Sequence, residues 1–413
     1  MKSIVGSLAV LSAGLLFIGC GAPAVDGDAS PAPDARSGDA GVQTSPDVAA
    51  AEDAANDNVP ALDTVDAPTV ATDAAPNDVP APDAGFAHLA GIGCGTAPPA
   101  GAAMPPALPR YSGGTCPRLA PGTNTLMSGG VERRFILVVP SDYAPATERL
   151  PLVFVYHYLG GSAGSILTNG QVQESTNALR FISVLPEKRG DLGVRIGGFN
   201  LDPAWPYLTT EPAARVEAEA RFFDDMTACV AEQFPINESC VSAAGISAGA
   251  LWVAQLLQLR AERLASAVLL SGGIGPATSL GLFDARGWRG AARAMPVMLG
   301  WGGASDQCGL NFQTASRNLE RRLGAGGHFV EECIHNCGHN VPPVDPMVGL
   351  RVLWRFAIDH PYWLRAGQSP YLADGMPSGT PNWCGLGIGS ARARTESCTA
   401  TGFGGMACPV PAL

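Results

Sequence analysis

The chain predicts an α/β fold with a largely parallel sheet, preceded by a disordered N-terminal tether. Three observations carry this. Short apolar, β-branched runs alternate with helical patterns over the last three quarters of the chain. The charge is confined: residues 26–86 hold 13 Asp/Glu against Arg36 alone, whereas residues 87–413 are neutral, so the net −11 belongs to one segment. The residues suited to chemistry follow strand ends, where open α/β sheets build their sites. With a pI near 5.0 and two lysines, Lys2 and Lys188, the chain has no basic cluster, which excludes nucleic acid as an expected partner.

In chain order, residues 1–20 read as an export signal. Lys2 is a short positive region, and the apolar run from Ile4 to Ile18 is too short for a stable membrane span. It ends in Phe17-Ile18-Gly19-Cys20, which resembles a bacterial lipobox with Phe in place of the usual Leu. That resemblance implies lipidation at Cys20, and Gly21 after it implies the outer-membrane form of sorting. Residues 21–90 are Ala-, Pro- and Asp-rich, with no aromatic residue before Phe86. Repeated Pro and like charge prevent a core, so a self-repelling spacer is expected, roughly 45 Å long even as a flexible coil. The domains expected are then a body over 91–365 and a Gly/Cys-rich tail over 366–413. The expected location is exported, lipid-anchored to the outer membrane or cell surface, or secreted. Membrane contact is expected only through that anchor, and the body is expected to be monomeric.

Ten cysteines follow Cys20, an even number that suggests disulfides in an exported chain. Cys229 and Cys240 bracket a helix end and the next strand, and are expected to pair. Cys94 and Cys116 bracket a Pro-rich lead-in and form a second candidate pair. Cys308 and Cys337 sit beside two candidate site residues, and a bridge between them is expected to clip their loops together.

Strands are expected at 133–140, 152–157, 181–185, 240–246, 265–270, 296–300 and 329–333. Helices are expected at 165–179, 213–233, 248–263, 312–323 and 347–358. Gly245-Ile246-Ser247-Ala248-Gly249 has the G-x-S-x-G pattern, but 51 glycines make chance matches common, and Gly160-Gly161-Ser162-Ala163-Gly164 has it too. Context favours Ser247, which stands between an apolar strand and the apolar helix that begins at Ala248. A nucleophilic serine needs backbone N–H groups for the developing oxyanion. Ala248 is expected to supply one, and Tyr158 or Leu159, in the loop after the strand 152–157, the other. His157 is expected to brace that loop.

The acid is expected to be Asp306, just past the strand 296–300, rather than Asp284, which has no strand before it. The base is expected to be His339 rather than His335. The spacing Cys333-x-His335-x-Cys337-x-His339 also admits zinc. Ligands two apart on an extended strand are too spread to close one tetrahedron, so no metal is expected, and no cofactor. Trp205 and Trp301 are candidate pocket walls.

Residues 120–360 resemble the secreted polyhydroxybutyrate depolymerase and feruloyl esterase family of α/β-hydrolases. The resemblance rests on 152–161, Phe222-Phe223-Asp224-Asp225-Met226-Thr227-Ala228-Cys229, 245–249, 301–306 and Gly338-His339. It implies a carboxylic ester hydrolase with Ser247 as nucleophile, His339 as base and Asp306 as orienting acid, acting on polyester oligomers or on feruloyl or acetyl esters. The tail is too small for a polymer-binding domain, which together with the anchor favours soluble or oligomeric esters. An acyltransferase on the same residues and a non-catalytic surface binding protein are the alternatives.

Overall fold

A computed structural model describes residues 93–196, 199–278, 284–346 and 349–398. The export signal, Cys20 and the whole of the expected tether lie outside the described residues, whereas the lead-in between Cys94 and Cys116 lies within them.

The strands, in chain order, are β1 Gly122–Ser128, β2 Val131–Val138, β3 Leu150–Tyr156, β4 Ile182–Pro186, β5 Val194–Ile196, β6 Phe199–Leu201, β7 Ile236–Ile246, β8 Ala267–Leu270, β9 Val297–Trp301, β10 Gln307–Cys308, β11 Leu310–Asn311, β12 Val330–Ile334 and β13 Cys384–Leu386. The helices are α1 Ala163–Asn169, α2 Val172–Leu179, α3 Ala213–Gln233, α4 Ala248–Leu259, α5 Phe312–Ala325, α6 Arg351–Asp359 and the single turn α7 Tyr371–Asp374. Nine strands form one sheet in the order β1-β2-β4-β3-β7-β8-β9-β12-β13. β4, β3, β7, β8, β9 and β12 run parallel, while β1, β2 and β13 are antiparallel at the edges. β5–β6 and β10–β11 are separate hairpins.

The central strands read as continuous apolar runs because both faces are covered. Leu152, Phe154, Tyr156, Ala243, Leu269 and Leu299 face one way, into a core shared with α3, α4 and α5. Their neighbours Val153, Val155, Ala244, Val268, Leu270 and Met298 face the other way, onto α1, α2 and α6. The period of two along each strand thus builds a three-layer sandwich.

Two differences from the expected elements have structural causes. The helix expected at 165–179 is two helices, because Gly170 caps the first and Gln171 takes a left-handed φ of 49°. Ser162, the rejected nucleophile, is the N-cap of α1 in a capping box with Ser165. The folded body also continues past residue 365: β13 pairs antiparallel with β12 as the ninth strand.

The disulfides overturn all three expected pairings. Cys240 bonds Cys94 and Cys229 bonds Cys116, so neither Cys229–Cys240 nor Cys94–Cys116 forms. Strand β7 starts at Ile236, which puts Cys240 inside the sheet, away from the helix end that carries Cys229. Cys333 bonds Cys384, and Cys337 bonds Cys398. Cys308 is disulfide-bonded too, but Cys337 is already engaged, so the expected Cys308–Cys337 clip does not exist. Four such bonds belong to an oxidising compartment.

Candidate active site

The site is built from strand ends and the loops that follow them. β7 ends at Ile246, and α4 begins at Ala248. Ser247 alone makes the turn, with φ 55° and ψ −120°, a conformation that costs a non-glycine residue on the order of 1–3 kcal/mol. The two glycines of the motif are required by close approach. A Cβ on Gly249 would sit 2.2 Å from the Tyr156 carbonyl oxygen, and one on Gly245 would sit 2.4 Å from the Gly249 backbone. Small residues let the turn nest against β3 and present the Ser247 hydroxyl at the C-terminal end of the central strands.

That hydroxyl meets an imidazole. His339 Nε2 lies 2.8 Å from Ser247 Oγ, and His339 Nδ1 lies 2.7 Å from Asp306 Oδ1. A carboxylate can only accept, so Nδ1 carries the proton and Nε2 accepts from the serine. The other carboxylate oxygen, Asp306 Oδ2, accepts from Ser271 Oγ–H and from Gly302 N–H, each at 2.8 Å. Asp306 is fully buried, Ser247 nearly so, and His339 half-buried with Phe312 stacked 4.3 Å from its ring. The loops that carry Asp306 and His339 touch directly. Gly338 N–H donates to Gly302 O, His335 N–H to Trp301 O, and a Cβ on Gly302 would lie 1.8 Å from Gly338 O.

The structure thus brings together Ser247, Asp306 and His339, which are up to 92 residues apart in sequence. It adds Ser271, Gly302 and Phe312, which sequence reasoning did not single out. Ser271 directly follows β8, so the strand-end rule offered a signal for it. Phe312 offered none, since its role depends on α5 packing beneath the base loop.

The loop after β3 is braced as expected. His157 Nδ1–H donates to Tyr158 O, Gly161 N–H donates to the same carbonyl, and Asn169 Nδ2 donates to the Tyr158 hydroxyl. His157 is buried, which lowers its pKa. Ala248 opens α4, where first-turn N–H groups have no partner within the helix and the helix dipole favours negative charge. Tyr158 is buried and Leu159 half-buried beside it.

The two candidate pocket tryptophans are elsewhere. Trp205 is fully buried, edge-on to Tyr156 at 5.1 Å, and its indole N–H donates to the His157 carbonyl. It supports the loop from behind and presents no face to a substrate. Trp301, the last residue of β9, is also fully buried. The rejected alternatives have structural roles. Asp284 accepts the backbone N–H groups of Ala277 and Ala285. His335 is buried edge-on to Trp383, its Nδ1 accepts Cys337 N–H, and burial pushes its pKa down to about 4. The sulfurs of Cys333 and Cys337, which the zinc alternative needs as thiolates, are held in disulfides.

No family model matches the chain, and no curated protein matches it in sequence. Solved structures do match in fold. A pOPH variant in complex with DMSO superposes with a TM-score of 0.52 at 16% identity, over 67% of this chain and 98% of that one. Native pOPH gives 0.51 at 18% identity, over 66% and 97%. Native sOPH gives 0.50 at 19%, over 69% and 99%. The fold is that of the α/β-hydrolases.

Proposed function

We propose that the chain is a carboxylic ester hydrolase with Ser247 as nucleophile, His339 as general base and Asp306 as the acid that orients it. The observation that carries this is the continuous hydrogen-bond line from Ser247 Oγ through the His339 ring to a buried, fully satisfied Asp306 carboxylate. His339 Nε2 takes the hydroxyl proton as Oγ attacks the ester carbonyl, and Asp306 stabilises the imidazolium that forms. The oxyanion is met by the N–H of Ala248 and by that of Tyr158 or Leu159. Collapse breaks the ester C–O bond, the alcohol leaves with the proton from His339, and water then cleaves the acyl-enzyme by the same steps in turn.

The substrate class proposed is a soluble or oligomeric polyester, or a feruloyl- or acetyl-type ester. It follows the resemblance over residues 120–360, together with a body held off a membrane by a lipid on Cys20 and the acidic spacer. The test is a fluorophosphonate probe followed by mapping of the labelled peptide. Label on Ser247, with turnover of p-nitrophenyl acetate that falls at least about 10⁴-fold in Ser247→Ala, is expected. Folded protein that takes no label and turns over no ester refutes the proposal. Methyl ferulate against hydroxybutyrate oligomers then separates the substrate classes.

A further inference from the structure

We infer that residues 391–398 are a strap that positions the catalytic base, with Arg394 and Asn336 as positioning residues for His339; this rests on the hydrolase reading above. The base loop leaves the sheet at Ile334, the last residue of β12. From there to His339 it is held on its inner side at His335 and Gly338, by the acid-loop carbonyls of Trp301 and Gly302. Asn336 and Cys337 lie between those two points and face outward, Asn336 exposed and Cys337 half-buried. Gly338 follows with φ 64°, so the residue before the base is the one with the widest backbone freedom. Inner contacts alone leave that freedom unrestrained on the outer side.

The strap closes the outer side at Ile334, Asn336 and Cys337. Arg394 N–H donates to Ile334 O at 3.0 Å, where the loop begins. Arg394 Nη1 donates to Asn336 Oδ1 at 2.8 Å, and Asn336 Nδ2 donates to Glu396 O at 2.7 Å. Cys398 then bonds Cys337, two residues before His339. Arg394 also shapes the strap itself: its guanidinium donates to the carbonyls of Glu396 and Ser397, folding 394–397 into a hook around the side chain. Planar donors that point several ways at once are what a guanidinium offers and an ammonium does not. The disulfide at Cys337 also stabilises the fold by restricting the unfolded chain, as any closure of 61 residues does. The strap's own consequence is for the base, because a displacement of about 1 Å at a reacting group costs on the order of 10²-fold in rate.

The test uses the full-length, oxidised chain with p-nitrophenyl acetate. Arg394→Ala, Asn336→Ala and the pair Cys337→Ser with Cys398→Ser are compared with wild type, each checked by near-UV circular dichroism and assayed well below its unfolding midpoint. The expected result is a kcat lower by about tenfold or more with KM within about twofold, because ground-state binding does not pass through the base. Arg394→Lys is expected to restore little. If the cysteine pair does not fold, Arg394→Ala and Asn336→Ala, with the disulfide intact, decide. Variants that keep kcat within about twofold, or lose it only in proportion to their unfolded fraction, overturn the strap while leaving the hydrolase in place. A wild-type protein without turnover or Ser247 label overturns the hydrolase reading itself.

Discussion

Asp306→Asn is the sharpest probe of the site, because the structure dictates which way the new amide must face. In the native protein Oδ2 accepts from the Gly302 backbone N–H and the Ser271 hydroxyl, while Oδ1 accepts from His339 Nδ1–H. A hydroxyl can turn, but a backbone N–H cannot. The amide oxygen must therefore take the Gly302 side, and the NH₂ group must face His339. It donates to Nδ1, so the ring proton moves to Nε2, and a protonated Nε2 cannot accept from Ser247. Recovering the working tautomer means flipping the amide. That sets NH₂ against Gly302 N–H and leaves two buried donors unpaired, at about 1–3 kcal/mol each. The sum, about 2–6 kcal/mol, corresponds to a fall in kcat/KM between about 30-fold and about 10⁴-fold. The assay is p-nitrophenyl acetate turnover beside the rate of fluorophosphonate labelling, with the unfolding midpoint as a control on the fold. A variant that folds and retains kcat/KM within about threefold of wild type would show that Asp306 does not set the His339 tautomer.

Three further outcomes are expected. Stability should peak near pH 6.5: burial and Asp359 raise Glu331 to about 8, so its folded-state proton is a stabilising contribution lost as pH rises above the unfolded value. That amounts to about 2 kcal/mol between pH 6.5 and 8 at about 1.4 kcal/mol per unit. Below 6.5 the buried, neutral His328 and His335, lowered to about 4, and His360, lowered to about 3, reverse the slope. Urea midpoints across pH 5–8.5 check this, and Glu331→Gln should flatten the alkaline limb. Trp205→Phe should keep kcat/KM within about threefold while Trp205→Ala loses about 3–5 kcal/mol of stability, as for a core aromatic; a stable Trp205→Phe that loses activity would return Trp205 to the pocket. Gly302→Ala drives a Cβ into Gly338 O and should part the acid and base loops, lowering kcat by about 10²-fold or more in a protein that still folds.

What was legible in the sequence depended on how local its cause was. The helix expected at 213–233 has those bounds in the structure, because its apolar spacing and the Pro212 before it are features of the segment alone. The central strands were visible as apolar runs because they are buried on both faces. β1 was not visible: it is an edge strand buried on one face, and its sequence Gly-Thr-Asn-Thr-Leu-Met-Ser carries only three buried positions. β13, three residues of Cys-Gly-Leu, has no pattern to read and exists because β12 offers it an edge. The same division runs through the site. Ser247, Asp306 and His339 each stand just past a strand end, a rule that applies without contacts, and the structure brings all three within hydrogen-bond reach. Trp205 was misplaced because a tryptophan in a long loop looks the same in sequence whether it lines a cleft or plugs the layer beneath.

The disulfides show where local reasoning breaks down, and why. Each expected bridge joined cysteines close in sequence or beside candidate site residues, yet the two N-terminal bridges span 146 and 113 residues. Long closures are also those that most restrict the unfolded chain, by about 5 kcal/mol each in the chain-entropy model. Both run from the Pro-rich lead-in to the heart of the fold, Cys94 to β7 and Cys116 to α3. Two more run from the C-terminal segment to β12 and to the loop that follows it. Neither flank has a long apolar pattern, so the covalent bonds add to the packing of a few buried side chains such as Tyr371 and Trp383. One of those bonds ends two residues from His339. The composition that made residues 366–398 look like an appendage, rich in Gly, Ser and Cys, is therefore that of a segment fastened to β12 and to the base loop by one cross-link each and by backbone hydrogen bonds.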